Sequence, residues 1–448
     1  MHTAPVRFLS DFACQTMLIG EGDPDCLLGN DASSSCLHYC APTHGGWGVI
    51  RTALLVPEMY MLFVCPEACG RHGAIAAYEH GGKDRVGYLC LEEDEIAMGR
   101  YEQGIREAVP GLFKSLKRRP RAFLIVVSCI DDLMGTDYDE MISGFEAEFG
   151  IPFRIGHMNP ISLDGKLPPG KRIQRDMYDF IEAPEGRDDS VCLVGAFQPI
   201  AKEAEIRELL RANGMYSLLH ISECASFDEY QRLGRARLNL VVRPEGMDAA
   251  KNLREKFGTP FLFAPVAFSE STIAKRYDEI SRFFGANMAN NMANDAVNSR
   301  RQAEKRVLEA AGGKTIAIDN TATCSPFDLA RALIEAGFNV SEIFTQKFPV
   351  FDRPSYGWLA ENAPGIRVTS PIHHSNSWLR PDTPTADIAI GFTAAYLTNA
   401  PCVVPVAFDE GMYGHHGMVM LLDSLELALQ GRIPGSLEQM VRDYGLVV

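Results

Sequence analysis

No run of about 18 uninterrupted apolar residues occurs in this chain, so a bilayer-crossing helix and a membrane partner are not expected. The opening MHTAPVRFLSDFACQ lacks the charged and apolar regions of a secretory leader, which points to a cytoplasmic protein. Basic residues are in the minority: 43 Lys and Arg against 58 Asp and Glu leave a net charge of -15. That balance argues against a nucleic-acid partner, which needs basic patches to displace counterions, and leaves room for a protein partner with a basic docking face. A Walker A sequence and a convincing G-x-G-x-x-G turn are also missing at the first and third strand ends, so a nucleotide phosphate has no backbone cradle there. Any ATP hydrolysis is expected in another protein.

What the chain does contain is length and a repeating grain. At 448 residues it is too long for one core, and about 100 to 200 residues per domain gives two to four domains, with three expected. In the first block RAFLIVVSC (121–129) has the continuous apolar character of a buried parallel strand, followed by an amphipathic helix in DYDEMISGFEAEFG that Gly150 stops, and by a strand in IPFRIGH. A second block runs from DDSVCLVGAF (188–197) through the helix KEAEIRELLRANG, the strands MYSLLHI and ARLNLVV, the helix MDAAKNLREKFG and TPFLFAP. A third opens at KTIAIDN (314–320) and continues through FDLARALIEAGF, VSEIFTQ, IRVTS and TADIAIGF. The expectation is an α/β fold of three Rossmann-like doubly wound parallel-sheet domains around a central cavity, at 1–186, 187–290 and 291–448. Residues 182–190, charged and turn-rich, form the first linker, and 269–313 read as long helices joining the second and third blocks.

Cys40, Cys69 and Cys129 lie in CAPTHGGWGVIRTAL, MLFVCPEACGRHG and AFLIVVSCIDDLMGTDYDEM, each at the end of an apolar run and beside glycine or a turn. Thiolates placed where strands end can meet on one side of a sheet, which is how a soft metal cluster is held, so iron–sulfur electron transfer is the expected chemistry. Twelve cysteines in a reducing compartment are not a disulfide framework. The spacings Cys36-x3-Cys40 and Cys65-x3-Cys69 admit a four-cysteine zinc site, which leaves Cys129 unexplained. Cys36 or Cys65 stands otherwise as an extra cluster ligand or a bystander thiol, and Cys324 as a small core residue or a redox thiol near a pocket. Cys14, Cys26, Cys90, Cys192, Cys224 and Cys402 read as packing. The glycines of HGGWG (44–48) let backbone approach a cluster closely, and His44 beside Cys40 reads as a turn residue.

The order of Cys40 with its following glycines, Cys69 in Pro-x-x-Cys-Gly and Cys129 in Ser-Cys-x-x-x-x-Met-Gly-x-Asp resembles component 1 of nitrogenase and its nitrogenase-like relatives. LEEDEIAMG (91–99), VCLVGAF (191–197), LNLVVRPEGMDAAKNLREKFGTPF (238–261) and IAIGFTAAYLTNAPCVVPV carry the resemblance along nearly the whole chain. It implies that Cys40, Cys69 and Cys129 supply half the ligands of a [4Fe–4S] or P-cluster-like iron–sulfur cluster shared with a partner subunit. That partner is a homologous component 1 subunit in a heterotetramer or a second copy of this chain. The resemblance also implies an ATP-hydrolysing iron–sulfur reductase protein as electron donor, a substrate reduced in a cavity between the domains, and room for a second metallocofactor.

The departures from the family pattern narrow this. Where catalytic nitrogenase fixes its active-site cofactor by a cysteine and a histidine, this chain has Arg243 and approximately Val406. An arginine cannot replace a thiolate as an iron ligand, and valine offers no lone pair, so a standard dinitrogen-reducing cofactor subunit is not expected. The surviving readings are a nitrogenase-like reductase subunit, catalytic or companion, and a scaffold for metal-cofactor assembly without turnover of its own. Arg243 could grip a carboxylate or an anionic cluster, or form a structural ion pair. His415 and His416 in MYGHHGM, and His373 and His374 in SPIHHSNSW, could donate protons or ligate metal. By the resemblance, the loop near His415 and His416 borders the cofactor cavity. Asp131 and Asp132 read as caps of the helix after Cys129.

Overall fold

The computed structural model describes residues 16–19, 39, 48–158, 169–285, 294–346, 348–373, 376 and 381–444. Cys14, Cys26, Cys36, Cys40, His44 and His374 lie outside them, as does the expected boundary at 290/291.

β1 (Thr16–Leu18) belongs to a six-stranded sheet described below; the two sheets that follow it in sequence have four strands each. β2 (Met59–Cys65), β3 (Val86–Cys90), β4 (Ala122–Val127) and β5 (Phe153–His157) form a wholly parallel sheet in the order β3-β2-β4-β5. β6 (Ser190–Val194), β7 (Ser217–His220), β8 (Leu238–Val241) and β9 (Phe261–Phe263) repeat the plan as β7-β6-β8-β9. Every residue of β4 is buried, as the unbroken apolar run AFLIVV requires of a strand covered on both faces. One face of the first sheet shares a core with the second: Met61, Phe63, Leu124 and Val126 pack in one cluster with Cys192, Val194 and Val241. The other face carries a second core, in which Phe123 and Phe153 stack with ring centroids 4.9 Å apart. Truncating a buried Phe of this kind costs roughly 3–5 kcal/mol. The helix Asp139–Phe149 ends at Gly150 in the left-handed conformation (φ 61°), whose N–H bonds back to the Glu146 carbonyl.

In the six-stranded sheet, β10 (Thr315–Asp319), β11 (Asn339–Phe344), β12 (Arg367–Thr369), β13 (Ile388–Ile390) and β14 (Cys402–Val404) run parallel, and β1 joins β12 antiparallel, in the order β1-β12-β11-β10-β13-β14. The helices Glu270–Phe283 and Asn294–Ala311 occupy the stretch read as long helices before this block.

Contacts among the described residues divide the chain into two units. Gly45–Pro199 with Leu210–Ala264 holds both four-stranded sheets; Ile200–Leu209 with Pro265–Val447 and the residues before 45 holds the six-stranded one. The turn-rich stretch 182–190 is thus internal to a unit. Its Arg187 guanidinium donates to the Gly234 carbonyl at 2.7 Å, and its Glu182 N–H to Gln231 Oε1 at 2.8 Å. Among the described residues no helix is long and apolar enough to cross a membrane.

Candidate functional site

In an open parallel sheet, ligands collect outside the carboxyl ends of the strands where the order reverses. For the first sheet that point lies between β2 and β4, since the chain builds β3 on one side and β5 on the other. Cys69 and Cys129 flank it. Cys69 lies in the first turn of the helix Glu67–Glu79 directly after β2, where its N–H bonds to the Pro66 carbonyl at 2.9 Å, and its side chain is exposed. Cys129 opens the helix Cys129–Met134 after β4 and is partly buried. The strand-end expectation fits Cys129, since an apolar run must stop where the chain leaves the sheet, whereas β2 ends at Cys65 and Cys69 lies just past it in the following helix.

Two more thiols sit beside them. Cys65 and Cys90 are register partners at the ends of β2 and β3. Cys65 is buried beneath the helix bearing Cys69, where a Cβ at Gly70 would lie 3.4 Å from its sulfur, and burial with the neighbouring Cys69 and Cys90 pushes its thiol up to about 12. With no metal bound, that thiol is protonated at neutral pH. Cys90, expected as packing, is exposed: it closes β3, which among the described residues is an edge strand of its sheet. Between Val127 and Cys129, Ser128 is 4% exposed and its hydroxyl has no hydrogen-bond partner among the described residues. Among the described residues no three His, Cys, Asp or Glu side chains are arranged to hold a metal ion.

The other switch points are closed from within. Between β6 and β8, a Cβ at Gly246 would lie 2.8 Å from the Gly195 backbone, so the two loops touch main chain to main chain. Arg243 follows β8, is 5% exposed, and its Nε lies 3.4 Å from Glu245 Oε2. Between β10 and β13, the buried Asp319 carboxylate accepts the Thr321, Ala322 and Ala394 N–H groups at 2.8, 2.9 and 2.8 Å. An internal anion thus fills the place a phosphate would take, in keeping with the missing glycine-rich turn. Cys324, in the loop after β10, is buried.

A family model for nitrogenase component 1 type oxidoreductases matches residues 45–424. The chain belongs to that family. Over 194 residues it is 28% identical to the nitrogenase iron-molybdenum cofactor biosynthesis protein NifE of Klebsiella pneumoniae, a match that takes in 40% of this chain and 42% of that protein's length. A structure of nitrogenase Cp1 at pH 6.5 shares its fold with a TM-score of 0.64 at 16% identity, covering 88% of this chain and 93% of that one. A second, nitrogenase Cp1 at pH 5, gives 0.61 at 14% identity, covering 95% and 96%. The parallel α/β architecture is that of component 1 structures.

The histidine pair occupies the other unit of this component 1 chain. The helix Gly414–Leu429 starts at Gly414 (φ 62°), and a Cβ there would collide with the Tyr277 hydroxyl and the Glu205 carboxylate. His415 is 5% exposed, its Nδ1 has no hydrogen-bond partner among the described residues, and burial lowers its pKa against the pull of Glu205. His416 lines a cavity of about 240 Å³ with Glu203, Glu205, Glu208, Asp295 and Ser299. His373, an isolated bridge residue beyond β12, is not among the residues lining this cavity. Glu205 and Ser128 escaped the sequence reading. A glutamate in a helical stretch gives no sign of a partner some two hundred residues away, whereas a serine closing AFLIVV was a visible polar interruption.

Proposed function

We propose that this chain is a subunit of a nitrogenase-like reductase, in which Cys69 and Cys129, with Cys40, are half the ligand set of an iron–sulfur cluster completed by a partner subunit. The observation that carries the reading is the pair of thiols flanking one sheet's switch point, with a buried hydroxyl directly before Cys129 that has no partner among the described residues. The donor set fits: thiolates are the ligands that iron–sulfur clusters take, and two or three per chain suit a shared cluster. A bound cluster, [4Fe–4S] or P-cluster-like, would supply one-electron storage and transfer. The chain's own residues would hold it by sulfur, exclude water through the covered strands β2 and β4, and present the exposed Cys69 helix to the partner.

The proposed electron donor is an ATP-hydrolysing iron–sulfur reductase protein, and the proposed partner is a homologous component 1 subunit or a second copy. Arg243, His415 and His416 are the proposed substrate-side residues, the arginine for an anionic group and the imidazoles for protons, within domains at 1–186, 187–290 and 291–448. The absence of a thiol at position 243 supports a bound group other than a cysteine-anchored cofactor.

The second reading is a cofactor-assembly scaffold, favoured by the partial match to a cofactor biosynthesis protein. Anaerobic purification with copurifying partners, metal analysis and low-temperature electron paramagnetic resonance before and after dithionite test the cluster. Iron and sulfide with a redox-responsive signal are expected; zinc alone or no metal would overturn the proposal. Turnover with the reductase and ATP then separates enzyme from scaffold, which would instead hand cargo to an apo-protein.

A further inference from the structure

Ser128 carries a buried hydroxyl that no described residue pairs with. A buried hydroxyl has lost its hydrogen bonds to bulk water, and native structures seldom leave such a group without an acceptor. Acceptors at the strand ends are engaged: the Cys65 carbonyl takes the Leu91 N–H at 3.1 Å, and the Val127 carbonyl takes the Met158 N–H at 3.0 Å. On the strand side, the residue before it, Val127, is paired in register with Val64, and both are buried and apolar. What lies on the loop side is the switch point that Cys69 and Cys129 flank.

We propose that the Ser128 hydroxyl donates a hydrogen bond to a sulfur of the cluster bound through Cys129, either a ligand thiolate or an inorganic sulfide, and thereby raises its reduction potential. The inference rests on the cluster reading above. Reduction adds negative charge that spreads onto the sulfurs, so a donor there stabilises the reduced state more than the oxidised one. Ser128 is a positioning and tuning residue; it ligates no iron and transfers no proton.

The test uses the full chain, purified anaerobically with its partners, as wild type, Ser128→Ala, Ser128→Thr and Ser128→Cys. Iron per chain is measured first, then the midpoint potential by redox titration followed by electron paramagnetic resonance. Ser128→Ala is expected to keep its iron and shift the midpoint to a more negative value, and Ser128→Thr to restore it. Should Ser128→Ala lose iron, the threonine and cysteine variants carry the same comparison, because the thiol is a weaker donor and should lie below threonine. A thermal melt of the chain stripped of iron adds a readout: Ser128→Ala should melt no lower than wild type, since it removes an unpaired group. Equal midpoints at equal iron content would overturn the inference, as would an iron-free Ser128→Ala that melts well below wild type. Absence of iron from the wild type would instead remove the cluster reading itself.

Discussion

The Glu205 carboxylate accepts the backbone N–H of His415 at 2.6 Å, and its second oxygen accepts that of His416 at 3.2 Å. The same carboxylate takes the Tyr277 hydroxyl at 2.7 Å. A negative charge thus sits on the first N–H groups of the helix Gly414–Leu429, where the helix dipole favours it and where those groups have no partner within the helix. The position of both histidines is set by a residue outside their own motif.

Glu205→Ala would leave two N–H groups without their acceptor at a site only 8% exposed in the native chain. The expected loss is about 1–3 kcal/mol, with Glu205→Gln intermediate because its carbonyl can still accept. Denaturant midpoints of the three proteins check this; an alanine variant as stable as wild type would show that the helix start holds itself.

Cys129→Ala and Cys69→Ala should each remove or remodel the cluster while leaving the unit with the six-stranded sheet folded. Cys324→Ala should retain full iron content, because its thiol is buried in a loop after β10, far in sequence from the cysteine-bearing strands. Iron per chain and the resonance spectrum are the measurements, and unchanged values in Cys129→Ala would sink the ligand assignment.

The parallel strands were legible because their apolar runs are unbroken: AFLIVV reads as buried on both faces and is so. Gly150 announced a helix end and takes up a left-handed φ. Cys129 was legible as a strand-end thiol for the same reason, whereas β2 ends at Cys65 and Cys69 falls in the helix that follows. Exposure of Cys90 was not, because whether a strand lies at an edge depends on sheet order, which one strand's pattern does not encode. Nor was the Glu205 clamp on the histidine helix, since a side chain reaching across the chain leaves no periodic trace. Asp319 is intermediate: the missing phosphate turn was plain, but the carboxylate that fills its place was not.

Arg243 is buried where the chain leaves β8, and the carboxylate 3.4 Å from its Nε belongs to the partly exposed Glu245. Arg243→Met, close in length and uncharged, should keep the iron content and lower substrate turnover or cargo binding by at least tenfold, equivalent to about 1.4 kcal/mol. A variant that changes only the melting temperature would reduce the arginine to a structural ion pair.

His220 gives the fold a pH dependence of definite sign. Its Nδ1 accepts the Ser222 N–H at 3.2 Å, which leaves Nε2 as the protonated nitrogen, donating to the Ala196 carbonyl at 3.0 Å. Burial holds the neutral form and pushes the pKa down to about 4, opposed by the Ala196 hydrogen bond. The unfolded chain takes up its proton near pH 6.5 and the folded chain only near 4, so the contribution is complete above 6.5 and is lost as pH falls between the two. Its upper limit is about 3 kcal/mol. His220→Gln can keep a donor to Ala196 but does not titrate. The stability difference between wild type and variant, from denaturant midpoints at pH 7.5, 5.5 and 4.5, should therefore shrink or reverse as the solution is acidified, with carboxylate titrations common to both cancelling. A difference that stays constant over that range would mean that the imidazole takes its proton in the folded state as readily as in the unfolded one.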